Sequence, residues 1–278
     1  MDYCSPAQVK SLCAEFGFQF TKSLGQNFLI SPEIVERIAD SAGLDAETAV
    51  LEIGPGFGAL TNALSARAKQ VVALELDQSL FPVLAKTLAD RANVRLVQGD
   101  ALQADYRALL ADCGCSRLAA AANLPYYITT KSILRLLRAR LFDRVTVMIQ
   151  REAAGKLVCS PGSENWCLFS LLARHYADIR LLFTVPRSCF YPQPKVESAV
   201  LTFEPRLPLS EAAETKFSAI AEAVFAMRRK TLGNCLKSMP EVLAKLTACG
   251  IDAARRGESL TVSEAESLAL AAAGEHIS

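Results

Sequence analysis

From Ala49 onward, short apolar runs alternate with stretches of helical period. The runs at 49–53, 70–76, 94–98, 117–122 and 142–149 have the length of strands. Between them, about 58–68, 78–90, 105–111 and 129–140 repeat apolar residues at helical spacing. This succession predicts a parallel, doubly wound sheet with ligands outside the carboxyl ends of its strands. Upstream, residues 6–17 carry a helical pattern (Val9, Leu12, Cys13, Phe16) ending at Gly17. Ser31-Pro32-Glu33 opens a second helix with a hydroxyl cap and a first-turn proline, and Gly43 closes it. Between the two helices, 22–29 is predicted as a polar, glycine-containing link. Downstream, 150–165 predicts a helix and then a loop. A strand pair near 176–184 and 198–203 flanks a connection stiffened by Pro186, Pro192 and Pro194. Strand signals cease after Pro205 and Pro208, so the predicted division is an α/β domain at 1–207 and a helical one, of four or five short helices, at 208–278.

One run ends unlike the others. Val50-Leu51-Glu52-Ile53 passes directly into Gly54-Pro55-Gly56-Phe57-Gly58, and a helical pattern follows. Alternate glycines remove Cβ atoms that would keep a ligand off the backbone, and the helix start offers unpaired N–H groups to the same gap. The turn fits the loose dinucleotide fingerprint, and Glu75 follows at the end of the next run, where a carboxylate accepts from ribose hydroxyls. NAD, S-adenosylmethionine and a plain glycine turn all remain open at this point. Two more polar sites fall at strand ends: Gly99-Asp100, with Asp100 either a base acceptor or a helix cap, and Asn123-Leu124-Pro125-Tyr126. Gln26, Asn27 and Leu29 precede the turn, either facing the same ligand or forming an ordinary capped link.

Composition narrows the class. The 278 residues, 51% of them hydrophobic, suffice for one large domain and a small one. No apolar run approaches the roughly 20 residues that span a bilayer. The first residues lack the regions of a secretory leader, so a cytoplasmic protein is expected. The nine cysteines are scattered and only two histidines accompany them, so no metal site is expected and the thiols should be reduced and mostly buried. Lys and Arg number 30 against 29 Asp and Glu, a small excess for a nucleic-acid protein. Distribution matters more than the sum. Lys131, Arg135 and Arg138 recur at helical spacing, and Arg228-Arg229-Lys230 forms a second cluster. Each is either a solvated helix face or a set of phosphate contacts.

Asn123-Leu124-Pro125-Tyr126 separates the ligand classes. An exocyclic base amine is a poor nucleophile because its lone pair is delocalised into the ring. If the Asn123 side-chain oxygen and the Leu124 carbonyl accept its two hydrogens, the nitrogen pyramidalises and presents its lone pair to a sulfonium methyl. Pro125 stiffens the turn, and the Tyr126 ring stacks on the extruded base. No strong general base is required. A plain Asn-x-Pro turn is the competing explanation, but the position after the fourth strand, beyond Glu75 and Asp100, favours the chemistry.

Together these stretches resemble the ribosomal RNA adenine N6,N6-dimethyltransferases. The likeness covers nearly the whole chain: Gly25 to Leu29, Glu52 to Thr61, Glu75-Leu76-Asp77, Gly99-Asp100-Ala101, Asn123 to Tyr126, Phe190 to Ser198, and Phe225 to Leu236. It implies an α/β fold: a Rossmann-like S-adenosylmethionine-dependent methyltransferase domain with a small C-terminal all-helical domain. It also implies that Gln26, Asn27, Leu29, Gly54, Gly56, Glu75, Asp100, Ala101 and Asn123 line the cofactor. Asn123, Leu124, Pro125 and Tyr126 would hold the adenine, with Phe190 stacked opposite Tyr126; a core position is the alternative for Phe190. Lys131, Arg135, Arg228, Arg229 and Lys230 would meet RNA phosphates.

Phe225 to Asn234 is similar to the branch that dimethylates two adjacent adenosines near the 3′ end of small-subunit (16S) rRNA, late in ribosome assembly. The partner implied is the immature 30S particle, met by a monomer with no membrane or metal. The alternatives are the large-subunit (23S) branch that confers macrolide resistance, a non-catalytic assembly factor of the same fold, and a nicotinamide oxidoreductase. Two positions depart from the family pattern: Tyr127, where many members carry asparagine, and Gly233, where a basic residue is frequent.

Overall fold

The computed structural model describes residues 5–21, 25–227 and 229–275. Its strands are β1 (Phe28–Leu29), β2 (Thr48–Ile53), β3 (Gln70–Glu75), β4 (Val94–Gln98), β5 (Arg117–Asn123), β6 (Arg144–Gln150), β7 (Ala177–Val185), β8 (Phe190–Tyr191) and β9 (Ser198–Pro205). Seven of them make one sheet in the order β4-β3-β2-β5-β6-β9-β7. Neighbours from β4 through β6 are parallel, and β9 runs antiparallel to β6. The chain winds outward from β2 to β4, then crosses to β5 on the other side of β2. Such a reversal opens a crevice at the carboxyl ends of β2 and β5.

A strand covered on both faces has no polar side, and every residue of β2 is buried. One covering helix, Pro32–Ser41, starts where the Ser31 side chain accepts from the Ile34 amide, and it buries Ile34, Val35, Ile38 and Ala39. Another, Thr129–Arg138, buries Ile133, Leu136 and Leu137 and leaves Lys131 and Arg138 exposed. The helix Pro6–Phe16 ends at Gly17 in the left-handed region, as its sequence predicts. Val9 and Leu12 from that helix pack with Phe18, Phe28 and Phe57.

Two elements fall outside the sequence reading. Phe28–Leu29, within the predicted link, pairs antiparallel with β8, opposing Phe28 to Tyr191 and Leu29 to Phe190. Leu168–Tyr176 forms a helix whose residues from Phe169 to Ala173, and then His175 and Tyr176, are all buried. The buried set includes Ser170 and His175, so polar positions in this stretch do not mark a solvent face.

Residues up to Ala154 together with Arg180–Pro205 form one compact unit, and Gly155–Ile179 together with those from Arg206 onward form another. The second unit thus takes in a segment that precedes the division expected near 207. Its helices include Glu211–Ala226 and Val262–Ala273, the latter opened by a capping box between Thr261 and Glu264. At its centre the buried His175 ring stacks on Phe217 at 3.8 Å, with Nδ1 2.8 Å from a Glu266 oxygen and Nε2 3.0 Å from a Glu214 oxygen. Among the described residues no helix is long and apolar enough to cross a membrane. The eight described cysteines are unpaired, but only Cys113 and Cys235 are fully buried, fewer than expected, because most of the others lie at helix ends and in turns.

Glu52 is the single charged residue of β2, only 1% exposed, and its Oε2 has no hydrogen-bond partner among the described residues. Burial pushes its carboxyl up to about 8, and the neighbouring Glu75 adds to the rise. The folded protein therefore keeps a proton that the unfolded chain releases near the ordinary value of 4.5. Stability contributed by this group falls as pH rises from there to about 8. Glu52→Gln, which preserves the neutral shape, is expected to flatten the fall in melting temperature across that window. Thermal melts in matched buffers test this, and identical pH profiles for the two proteins would show that another group is responsible.

Candidate active site

A cavity opens at the carboxyl ends of β2, β3 and β5. Gln26, Asn27, Leu29, Gly54, Gly56, Glu75, Asp100, Ala101 and Asn123 all line it, as do Leu124, Pro125 and Tyr126. Five segments distant in sequence meet there, four of them because the switch in winding brings the loops after neighbouring strands together.

The glycine turn has a different logic from the one its spacing suggests. Gly54, Gly56 and Gly58 have φ of 71°, 59° and 84°, a region that favours glycine. A Cβ at Gly54 would meet nothing within 4 Å, so here the backbone does face open cavity. At Gly56 a Cβ would stand 2.7 Å from the Phe28 ring, and at Gly58 3.1 Å from Thr87 Oγ1. Those two glycines make room for the protein's own side chains rather than for a ligand. The helix that follows, Ala59–Ser65, has no side-chain cap.

The polar groups of the wall are held in place. Glu75 is 7% exposed and its Oε1 accepts from the Asp77 amide at 2.8 Å. Burial raises its pKa, while the amides of Asp77, Gly56 and Leu76 pull it back. Asp100 is both a cap and part of the lining: its oxygens accept from the Leu102 amide at 2.8 Å and from Gln103 Nε2 at 3.2 Å. Gln26 lines the cavity, but its amide acts as a strut, accepting from Thr21 N at 2.8 Å and donating to Asp77 at 2.7 Å. Asn27 donates its side-chain amide to the Gly25 carbonyl at 2.9 Å.

Asn123 Nδ2 donates to the Asn27 carbonyl at 3.2 Å. Only the amide nitrogen can donate, so this bond turns Oδ1 away from Asn27. Neither Oδ1 nor the Leu124 carbonyl accepts a hydrogen bond from any described residue. The next carbonyl, that of Pro125, accepts from both Ile128 N and Thr129 Oγ1 at 3.2 Å. Leu124 itself is anchored, the whole residue being 1% exposed and its amide donating to Met148 O at 3.1 Å. The half-buried Tyr126 places its hydroxyl 3.3 Å from Ser198 Oγ.

Phe190 does not face Tyr126. It is 3% exposed, lies outside the cavity lining, and packs in the core with Leu29, Val185 and Val200. The cause is its pairing with β1, which sets Phe190 opposite the buried Leu29 on the inward side. Lys131, Arg135 and Arg138 line a separate groove that also includes Arg107. Lys131 and Arg138 are exposed, whereas Arg135 is half-buried, donating to Ala104 O at 2.7 Å beside the Tyr106 ring. Arg229 and Lys230 are exposed in the turn after Glu211–Ala226, and Arg228 lies outside the described residues. Glu52, Leu76 and Tyr127 line the cavity without having been singled out as site residues. An acid inside an apolar run was the available signal for Glu52. No three His, Cys, Asp or Glu among the described residues come together as a metal site.

A family model described as ribosomal RNA adenine dimethylase matches residues 17–271. The ribosomal RNA small subunit methyltransferase A of Geobacillus thermodenitrificans (strain NG80-2) is 43% identical, over 96% of each chain. Among solved structures, a dimethyladenosine transferase from Plasmodium falciparum superposes with a TM-score of 0.74 at 22% identity, covering 90% of this chain and 99% of that one, a likeness of fold. The 23S rRNA methyltransferase ErmE superposes at 0.70 with 26% identity, covering 89% of this chain and 100% of the other. With a matched model spanning both units and a near full-length relative, this chain belongs to the ribosomal RNA adenine dimethylase family of methyltransferases.

Proposed function

We propose that the protein transfers methyl groups from S-adenosylmethionine to N6 of two adjacent adenosines near the 3′ end of small-subunit (16S) rRNA, late in ribosome assembly. The observation that carries this reading is the pair of unpartnered oxygens, Asn123 Oδ1 and the Leu124 carbonyl, at the edge of the cavity.

The donor fits the lining on electrostatic grounds. Glu75 and Asp100 line the cavity together with Glu52, which burial keeps neutral up to about pH 8, and among the described lining residues there is no Lys, Arg or His. The pyrophosphate of a nicotinamide dinucleotide would enter an acidic site without a counter-charge, whereas a sulfonium is attracted to it. Glu75 and Asp100 would hold the nucleoside, with the open backbone at Gly54 beside them. When bound, S-adenosylmethionine supplies a methyl group already activated by positive sulfur.

The residues of the chain then act on the adenine. Asn123 Oδ1 and the Leu124 carbonyl take the two amine hydrogens, which frees the nitrogen lone pair from the ring. Pro125 keeps the two oxygens in a fixed turn, and Tyr126 supplies a stacking face. Once methylated, the cationic nitrogen gives up its proton to water, and no lining side chain is needed as a general base.

The small-subunit target is favoured by the 43% identity to a relative of that name, against 26% to ErmE. On this reading residues 1–207 carry the chemistry and 208–278 add RNA contacts through Arg228, Arg229 and Lys230. Lys131 and Arg135 would contact phosphates from their groove. The immature 30S particle would be met in the cytoplasm by a monomer.

Primer extension on small-subunit RNA from cells lacking the protein, with and without its return, tests the reading. A stop present only when the protein is present locates the target, and no difference overturns it. Asn123→Ala is expected to lower turnover by a factor on the order of 10²–10³ with little change in cofactor affinity, since it removes a contact to the reacting amine. Transfer of labelled methyl to unmethylated small subunits measures this, and undiminished transfer would refute the role of Asn123. Lys131→Ala and Arg229→Ala are each expected to weaken RNA binding and to lower the log–log salt slope by about one unit. Titrations at several salt concentrations read both quantities.

A further inference from the structure

Tyr127 is one of the few large apolar side chains left exposed, at 52%, and it lines the nucleotide cavity. The other exposed apolar group in that lining is Leu76, 47% exposed, just beyond the carboxyl end of β3. An uncovered ring in a cleft is free to cover something flat.

Its surroundings say which part of the cleft it serves. Tyr126 directs its hydroxyl to Ser198, whereas the Tyr127 ring lies beside Gly25, with Cδ1 3.8 Å from where a Cβ would stand on that glycine. Glu75 and Asp100 line the same cavity, and burial, with a smaller part from these two carboxylates, raises the pKa of the Tyr127 hydroxyl. The ring is carried on a turn closed by Ile128 N donating to Pro125 O at 3.2 Å, directly before the helix Thr129–Arg138. It therefore reaches, from a fixed base, the cleft that Glu75 and Asp100 also line.

We infer that Tyr127 is a binding residue that stacks on the nucleoside of the bound cofactor and retains it. This rests on the S-adenosylmethionine reading above. The nucleoside is common to the methyl donor and to its demethylated product, so the ring acts on both alike. A cation–π contact with sulfur would act on the donor alone.

Calorimetric titration with S-adenosylmethionine and with S-adenosylhomocysteine separates these roles. Tyr127→Ala is expected to weaken both ligands by a similar factor, on the order of tenfold, the loss of one stacked ring. Tyr127→Phe should bind as the unaltered protein does, and the ligand-free melting temperature should hold in both variants because the side chain is largely in water. Unaltered affinity in Tyr127→Ala overturns the inference. A loss confined to S-adenosylmethionine assigns the ring to sulfur instead, and an equal loss in Tyr127→Phe assigns the effect to the hydroxyl; either outcome also overturns it. If the unaltered protein binds neither ligand, the cofactor reading itself has failed, a result distinct from a normal titration that the substitution leaves unchanged.

Discussion

An amide that gives its nitrogen to a peptide carbonyl must turn its oxygen the other way. Asn123 and Asn27 are 96 residues apart, and the 3.2 Å bond between them aims the side-chain oxygen to which the proposed chemistry assigns one amine hydrogen. Each end of that bond has its own support. Asn123 closes β5, paired in register with Met148 of β6, and the Leu124 amide extends the pairing by donating to the Met148 carbonyl. Asn27 directly precedes β1, whose two residues are held by β8 and by the aromatic cluster around Phe18, Phe28 and Phe57. The rigidity of the acceptor pair is thus a property of two tertiary pairings and not of the Asn-Leu-Pro-Tyr turn alone. The glycine at 56 belongs to the same support, since a side chain there would collide with Phe28.

This explains what the amino-acid pattern reveals and what it conceals. The five parallel strands and their helices are legible because their apolar residues fall in short continuous runs or at helical period, and the glycine turn, Glu75, Asp100 and Asn123 all fall at strand ends by the same arithmetic. β1 and β8 are two residues each, too short for any period, so their pairing is invisible until the fold forms. The direction of Phe190 depends on that pairing. Opposed to Leu29, it turns into the core, and the aromatic sandwich expected with Tyr126 is not built. Glycine spacing likewise shows that side chains are forbidden without showing by what. At Gly54 the excluded volume is cavity, while at Gly56 and Gly58 it is protein. Leu168–Tyr176 escapes detection for another reason, since Ser170 and His175 are buried alongside its apolar residues and polar positions do not mark a solvent face.

The near-zero net charge is a sum of opposed parts. The nucleotide cavity is lined by Glu52, Glu75 and Asp100 with no described cation, whereas the adjoining groove presents Arg107, Lys131, Arg135 and Arg138 against the single carboxylate of Asp105. That carboxylate already accepts from the Ala108 amide at 3.1 Å, and both depressions share Leu102. A positively charged methyl donor and a polyanionic acceptor need opposite fields within a short distance, and uniform basicity would favour the second at the expense of the first. Screening at physiological salt falls off over roughly 8 Å, which allows neighbouring regions of opposite sign to act separately. Burial adds a further control. Glu52, held neutral up to about 8, keeps its volume in the sheet without adding a third full negative charge beside Glu75 and Asp100. The cavity can then attract a cation without binding it so strongly that the neutral product is left with no advantage in leaving.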